Sequence, residues 1–190
     1  MSLFMVAVFI VAVLLVAWLV SLYNALVRLK HGVTKAWSNI DVLLKQRHDE
    51  LPKLVETCKQ YMQHERQTLE AVISARNAVS SAREQHDVGA LGTAETGLRA
   101  GLGKLFALAE NYPELKANES FKLLQQRISA LENAIADRRE LYNEAVNLNN
   151  VRIEQFPDVL IARRFNFIAA ELLRFSDAEI ADVDIKSLFS

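Results

Sequence analysis

Leu3 to Leu22 reads LFMVAVFIVAVLLVAWLVSL, an apolar run whose only polar side chain is Ser21. At about 1.5 Å of rise per residue, a helix of this length reaches across roughly 30 Å of hydrocarbon. Trp18 and Tyr23 stand near its C-terminal end, where amphipathic rings favour the membrane–water interface. No Lys or Arg precedes the run and no small-x-small cleavage site follows it, which fits an uncleaved anchor better than a signal peptide. The pattern predicts a transmembrane helix from Leu3 to Leu22.

After residue 27 the apolar positions fall into helical spacing, with no sustained strand-like alternation. One seam runs Phe121, Leu124, Ile128, Leu131, Ile135, Arg138, Tyr142, Ala145, Asn149, Ile153 and Phe156, in steps of three and four. A second runs through Trp37, Ile40, Leu44, Leu51, Leu54, Cys58, Tyr61, Leu69, Val72 and Val79, and a shorter one through Leu98, Leu102 and Leu105. Pro113 and Pro157 mark helix ends, whereas the seam keeps phase across Pro52, predicting a kink or a very short break there. Gly89 suits a turn. The expected fold is all-α: an anchor helix running into a long amphipathic helix that ends near residue 86, a return helix over about 90–111, and a third over about 118–155. These pack as an antiparallel long-helix bundle of three to four helices. The boundaries are 1–27 for the anchor, 28–158 for the bundle and 159–190 for an apolar tail, whose stretch from Val159 to Phe175 is expected to form another helix on the bundle, the bilayer or a partner.

Charge adds topology. Lys+Arg number 22 and Asp+Glu 23, a balance that argues against a nucleic-acid partner. The first charges are basic, with Arg28, Lys30 and Lys35 all preceding Asp41. The positive-inside rule then places the N-terminus outside and the bundle in the cytoplasm. A single cysteine, Cys58, excludes a disulfide framework.

Candidate chemistry is sparse. The four histidines form no His-x3-His pair, and no Glu-x-x-His occurs, so neither a zinc peptidase helix nor a carboxylate-bridged iron site can be assembled. Gly101-Leu102-Gly103 lacks the strand before it and the Gly-Lys-Ser/Thr after it that a phosphate loop needs. The expectation is a protein that is not an enzyme, with no catalytic residue, cofactor or metal. Two weaker features remain. Gly97 and Gly101 share a helix face and permit close backbone approach, unless they only loosen the helix. Arg138 and Asn149 fall on the third-helix seam, and Asp41, Glu65 and Arg76 on or beside the first. A buried charge must be paired, so Arg138 is expected to meet Glu65 or Asp41 and fix helix register, unless it reaches solvent past its apolar stem.

Tyr23-Asn24-Ala25-Leu26-Val27, the stretches from Ala36 to Arg47 and from Asp49 to Val55, and Glu110-Asn111-Tyr112-Pro113-Glu114-Leu115-Lys116-Ala117 resemble the LemA family. So do Arg138-Arg139-Glu140-Leu141-Tyr142-Asn143, Phe156-Pro157 and Ile161-Ala162. The chain departs from the family at Leu148-Asn149, where a second Tyr-Asn is usual, and at Asn166-Phe167, where Gly-Phe is usual. The resemblance implies a single-pass bacterial inner-membrane protein with a cytoplasmic antiparallel bundle and no assigned molecular activity. Relatives in magnetotactic bacteria are linked to magnetosome membrane formation. The function expected is a membrane-anchored scaffold whose partners are the lipid bilayer and either copies of itself or another membrane protein. The alternative is a regulatory adaptor or signal transducer for a partner membrane protein.

Overall fold

The computed structural model describes residues 3–174, which form six helices and no strand. Helix α1 spans Leu3–Lys59, α2 Arg66–Glu84, α3 Val88–Ala109, α4 Pro113–Ala117, α5 Glu119–Glu154 and α6 Asp158–Arg164. The all-α class and the long-helix bundle expected from the seams are what the structure contains. The first part of α1 is long and apolar enough to cross a membrane, and none of that stretch is buried by the rest of the chain.

Pro52 does not break α1. A proline has no N–H for the carbonyl four residues earlier, so the oxygen of His48 is orphaned. Arg76 on α2 fills that vacancy, its Nε donating to the His48 oxygen at 3.0 Å. The break comes instead at residues 60–65, so the single helix expected to run to about residue 86 is two helices. The polar run Gln63-His64-Glu65-Arg66 interrupts the seam there, and Met62 turns inward and is fully buried. At the next turn His86 takes the left-handed conformation, with φ 55°, and Asp87 caps α3 by accepting from the Ala90 N–H at 2.8 Å. Gly89, expected in that turn, lies inside α3. Asn118 caps α5 in the same way, accepting from the Phe121 N–H at 3.0 Å.

Two compact units result. One combines Met1–Asn39 with Glu140–Leu172, and the other Ile40–Arg139 with Leu173–Ser190, each as far as its residues are described. In the first, Leu26 clusters with Ile153 and Ala162, and Ile161 and Phe167 pack against them. The Trp37 and Tyr142 rings meet edge-on at 5.6 Å. In the second, Ile40, Leu44, Leu51 and Leu54 of α1 are buried, as are Leu91, Leu98 and Leu105 of α3 and Phe121, Ile128 and Ile135 of α5. Helices α2 and α3 pack against each other.

The tail is helical only over Asp158–Arg164, and Phe165 to Arg174 have no regular secondary structure, so the helix expected to continue to Phe175 stops early. Phe175 and the rest of the tail lie outside the described residues. Side chains of α5 hold this segment by its backbone. The Asn150 amide donates to the Ala170 oxygen and its oxygen accepts from the Ala170 N–H, both at 2.9 Å. The Tyr142 hydroxyl donates to the Glu171 oxygen at 2.9 Å. A glycine makes the last approach possible: a Cβ on Gly92 of α3 would lie 1.9 Å from the Arg174 carbonyl oxygen.

Gly92→Ala should therefore cost about 1–3 kcal/mol, the usual penalty of overpacking. Gly97→Ala, with nothing within 4 Å of the added methyl, should raise stability by up to about 1 kcal/mol through helix propensity. Thermal unfolding of the two variants beside the parent should shift the midpoint in opposite directions.

Candidate functional site

The polar centre of the second unit is built on Arg47. Ile40, Leu44, Leu51, Leu54 and Cys58 on α1 are buried at alternating three- and four-residue steps once Arg47 fills the gap between Leu44 and Leu51. Glu95 occupies the matching gap on α3, between Leu91 and Leu98. Two charges of opposite sign are thus carried inward by the same periodicity that buries the leucines. Arg47 donates through one terminal nitrogen to Glu95 and through the other to Glu132 of α5. Arg99 of α3 closes the cluster, its Nε donating to the second oxygen of Glu132 at 2.9 Å. Two guanidinium groups and two carboxylates leave no net charge, which is what makes such burial tolerable.

Arg47 and Glu95 are each 1% exposed, so no substrate-sized molecule reaches them from solvent. Burial by itself would lower the Arg47 guanidinium, but Glu95 and Glu132 outweigh it and hold the group above its ordinary value, hence charged. Burial pushes the Glu95 carboxyl up, with Arg47 pulling the other way. Cys58 is fully buried, and burial alone pushes its thiol up to about 12, which keeps it in the unreactive protonated form. Among the described residues, no group of three His, Cys, Asp or Glu side chains is placed to hold a metal ion.

The residues singled out in the sequence are scattered. Arg138 is exposed, and neither expected partner meets it. Asp41 faces Arg83 at 3.7 Å, and Glu65 accepts from the Tyr112 hydroxyl at 3.4 Å. The reason is the order of steps in α5. From Ile128 the inward positions step by four and then three rather than three and then four, so Ile135 and Tyr142 keep their places while the inward position between them moves on by one residue. The inward line then runs through Ile135, half-buried Arg139 and Tyr142, and Arg138 turns outward. Asn149 is buried, as its seam position predicted, and its amide donates to Asn150 at 3.2 Å. Of the two glycines, Gly101 meets Val72 of α2, with its would-be Cβ 3.5 Å from that side chain, while Gly97 faces open space. The close backbone approach is made at Gly92. Leu3 and Leu22 bracket the exposed apolar part of α1, with Leu22 already 9% exposed where packing begins.

A second polar link ties α1 to α2. Besides its bond to the His48 oxygen, Arg76 places a terminal nitrogen 2.6 Å from His48 Nε2. A guanidinium can only donate, so Nε2 accepts and the ring is neutral. Burial first, and then the Arg76 charge, lower the His48 pKa below its ordinary value.

These features define a class: an all-α chain whose apolar N-terminal helix continues unbroken into a bundle locked by buried ion pairs. The LemA family model matches residues 36–186, and the chain belongs to the LemA family. It is similar to magnetosome proteins MamQ 2 and MamQ 1 of Paramagnetospirillum magneticum, each 26% identical over 92% of this chain and 72% of the relative. It is also similar to magnetosome protein MamQ of Magnetospirillum gryphiswaldense, 24% identical over 75% of this chain and 62% of the relative. With the apolar N-terminal helix, this makes it a membrane-associated protein of the LemA type.

Variants of Arg47, Arg138 and His48 test the polar contacts. Arg47→Met strands the buried Glu95 carboxylate and should cost about 3–5 kcal/mol in denaturant unfolding, whereas R47M/E95L, which leaves Glu132 paired with Arg99, should recover most of that loss. Arg138→Met should change stability by no more than about 0.5 kcal/mol. For His48, a lowered folded pKa means the unfolded chain takes up its proton first. Its contribution is present above the ordinary histidine value of about 6.5 and is lost as pH falls from there through the lower folded value. Melting midpoints taken from pH 7.5 to 5.5 should show a downward step that His48→Gln flattens; an unchanged step would assign it to other groups.

Proposed function

We propose that the protein is a non-enzymatic scaffold of the bacterial cytoplasmic membrane, single-pass, with its N-terminus outside and its bundle in the cytoplasm. It assembles with copies of itself or with another membrane protein. The observation that carries this reading is the continuity of α1, whose exposed apolar stretch and buried bundle residues belong to one helix of 57 residues. A helix that runs on from the apolar stretch joins it to the bundle without a flexible linker. Confinement to a membrane also raises the effective concentration of like copies, so weak contacts suffice for assembly. The basic residues Arg28, Lys30 and Lys35 directly after the apolar run support the cytoplasmic placement. The relatives' name, magnetosome protein, favours a membrane-organising role over a soluble one.

Full-length protein in lipid nanodiscs should run as a defined oligomer or co-purify with one membrane protein by native mass analysis. A monomer that crosslinks to nothing in its native membrane would remove the scaffold reading. In intact cells, a membrane-impermeant maleimide should label Ser2→Cys and leave Gln63→Cys untouched; the reverse pattern would invert the topology.

A further inference from the structure

Outside the N-terminal apolar run, the two most exposed large apolar side chains among the described residues are Ile168, at 81%, and Phe156, at 79%. Leu160 and Phe165 are also exposed. All four lie within the short stretch that ends α5, forms α6 and begins the extended segment. An exposed apolar group of this size marks a contact surface.

Its position follows from helix register. Trp37 of α1 meets Tyr142 of α5, and Leu26 clusters with Ile153, so equal steps along the two helices separate the two pairs. Continuing the same antiparallel register for one more turn sets Phe156 level with Tyr23. The ring contacts agree: Tyr23 lies 4.9 Å from the Phe165 ring and 5.8 Å from the Phe167 ring, both edge-on. Tyr23 directly follows the apolar run that ends at Leu22. If that run spans the bilayer, Tyr23 sits at its surface, and the α5–α6 corner sits there as well.

The charge pattern suits that depth. In α6, Ala162 and Asp158 face inward, and Asp158 accepts from Arg152 Nε at 2.8 Å. The outward side carries Leu160, Arg163 and Arg164. An apolar face flanked by unburied cations is the pattern of a segment lying in the interface, with apolar groups at the acyl boundary and guanidinium groups among phosphates.

We propose that the α5–α6 corner, through Ile168, is a second membrane contact, seated in the headgroup layer of the bilayer that α1 crosses, with Arg163 and Arg164 on anionic lipid phosphates. This rests on the reading of Leu3–Leu22 as a span. The unit that combines Met1–Asn39 with Glu140–Leu172 is then attached at two points, the anchor and the α5–α6 corner.

The test uses full-length protein carrying Cys58→Ser, in nanodiscs of phosphatidylcholine with phosphatidylglycerol. A nitroxide is attached in turn at positions 11, 123, 160 and 168, and its collisions with oxygen and with a water-soluble nickel chelate are compared. Labels at 160 and 168 should favour oxygen severalfold over the label at 123, an exposed bundle position, and fall between that value and the one at 11. Arg163→Glu with Arg164→Glu should lower the ratio at 160 severalfold and leave that at 11 unchanged. Nickel-accessible labels at 160 and 168, with 11 in lipid, would overturn the second contact and keep the anchor. A nickel-accessible label at 11 would overturn the anchor and the proposal with it. Exclusion of both reagents at 160 and 168, with spin–spin broadening, would assign the corner to a second copy of the chain and overturn the lipid contact.

Discussion

Burying the Arg47 guanidinium sets a requirement that three helices have to meet together. A charge 1% exposed must find partners of opposite sign at hydrogen-bond distance. Glu95 of α3 and Glu132 of α5 supply them, and Arg99 balances the second carboxylate. Leucine seams alone tolerate a slip of one heptad, because one leucine layer resembles the next. An arginine layer does not, since any slip strands both its charge and its partners. The cluster thus selects a single register for α1, α3 and α5, and the apolar layers above and below follow that choice.

The same helix that carries Arg47 also carries the apolar run, so specificity in the bundle and attachment to the membrane are properties of one element. Its weak point is Pro52, and α2 covers it: Arg76 takes the orphaned His48 oxygen and the ring nitrogen of the same residue. Beyond α6 the chain is held at Ala170 and Glu171 by side chains of α5 that bond to its backbone. Asn150 presents an amide edge to Ala170 much as a neighbouring strand would, which lets an irregular segment lie on α5 without leaving its polar groups bare.

Much of this was legible in the sequence. The apolar run, the return helix and the bounds of α5 follow from periodicity, because long amphipathic helices write their buried face directly into residue spacing. The buried polar residues were harder to place. The gaps at Arg47 and Glu95 are visible once the seams are written out, yet a gap reads equally well as an interruption. Arg138 attracted attention because three-four alternation puts it inside, and the reversed order of steps between Ile135 and Tyr142 turns Arg139 inward instead. The break at residues 60–65 was hidden because apolar residues resume at Leu69 in nearly the same phase. The tail deceived through composition: its apolar side chains suggested a helix, but an extended segment held by Asn150 and Tyr142 buries Leu173 as well.

Pro52 and Arg76 stand 24 positions apart in the chain, and neither is intelligible without the other. The proline withdraws a donor, and the arginine returns one from a different helix. An ordinary residue at position 52 would return the amide and leave the arginine only its bond to the ring nitrogen, whereas beside the proline the arginine serves both atoms of His48, and lysine, with no fork to reach both, is no substitute.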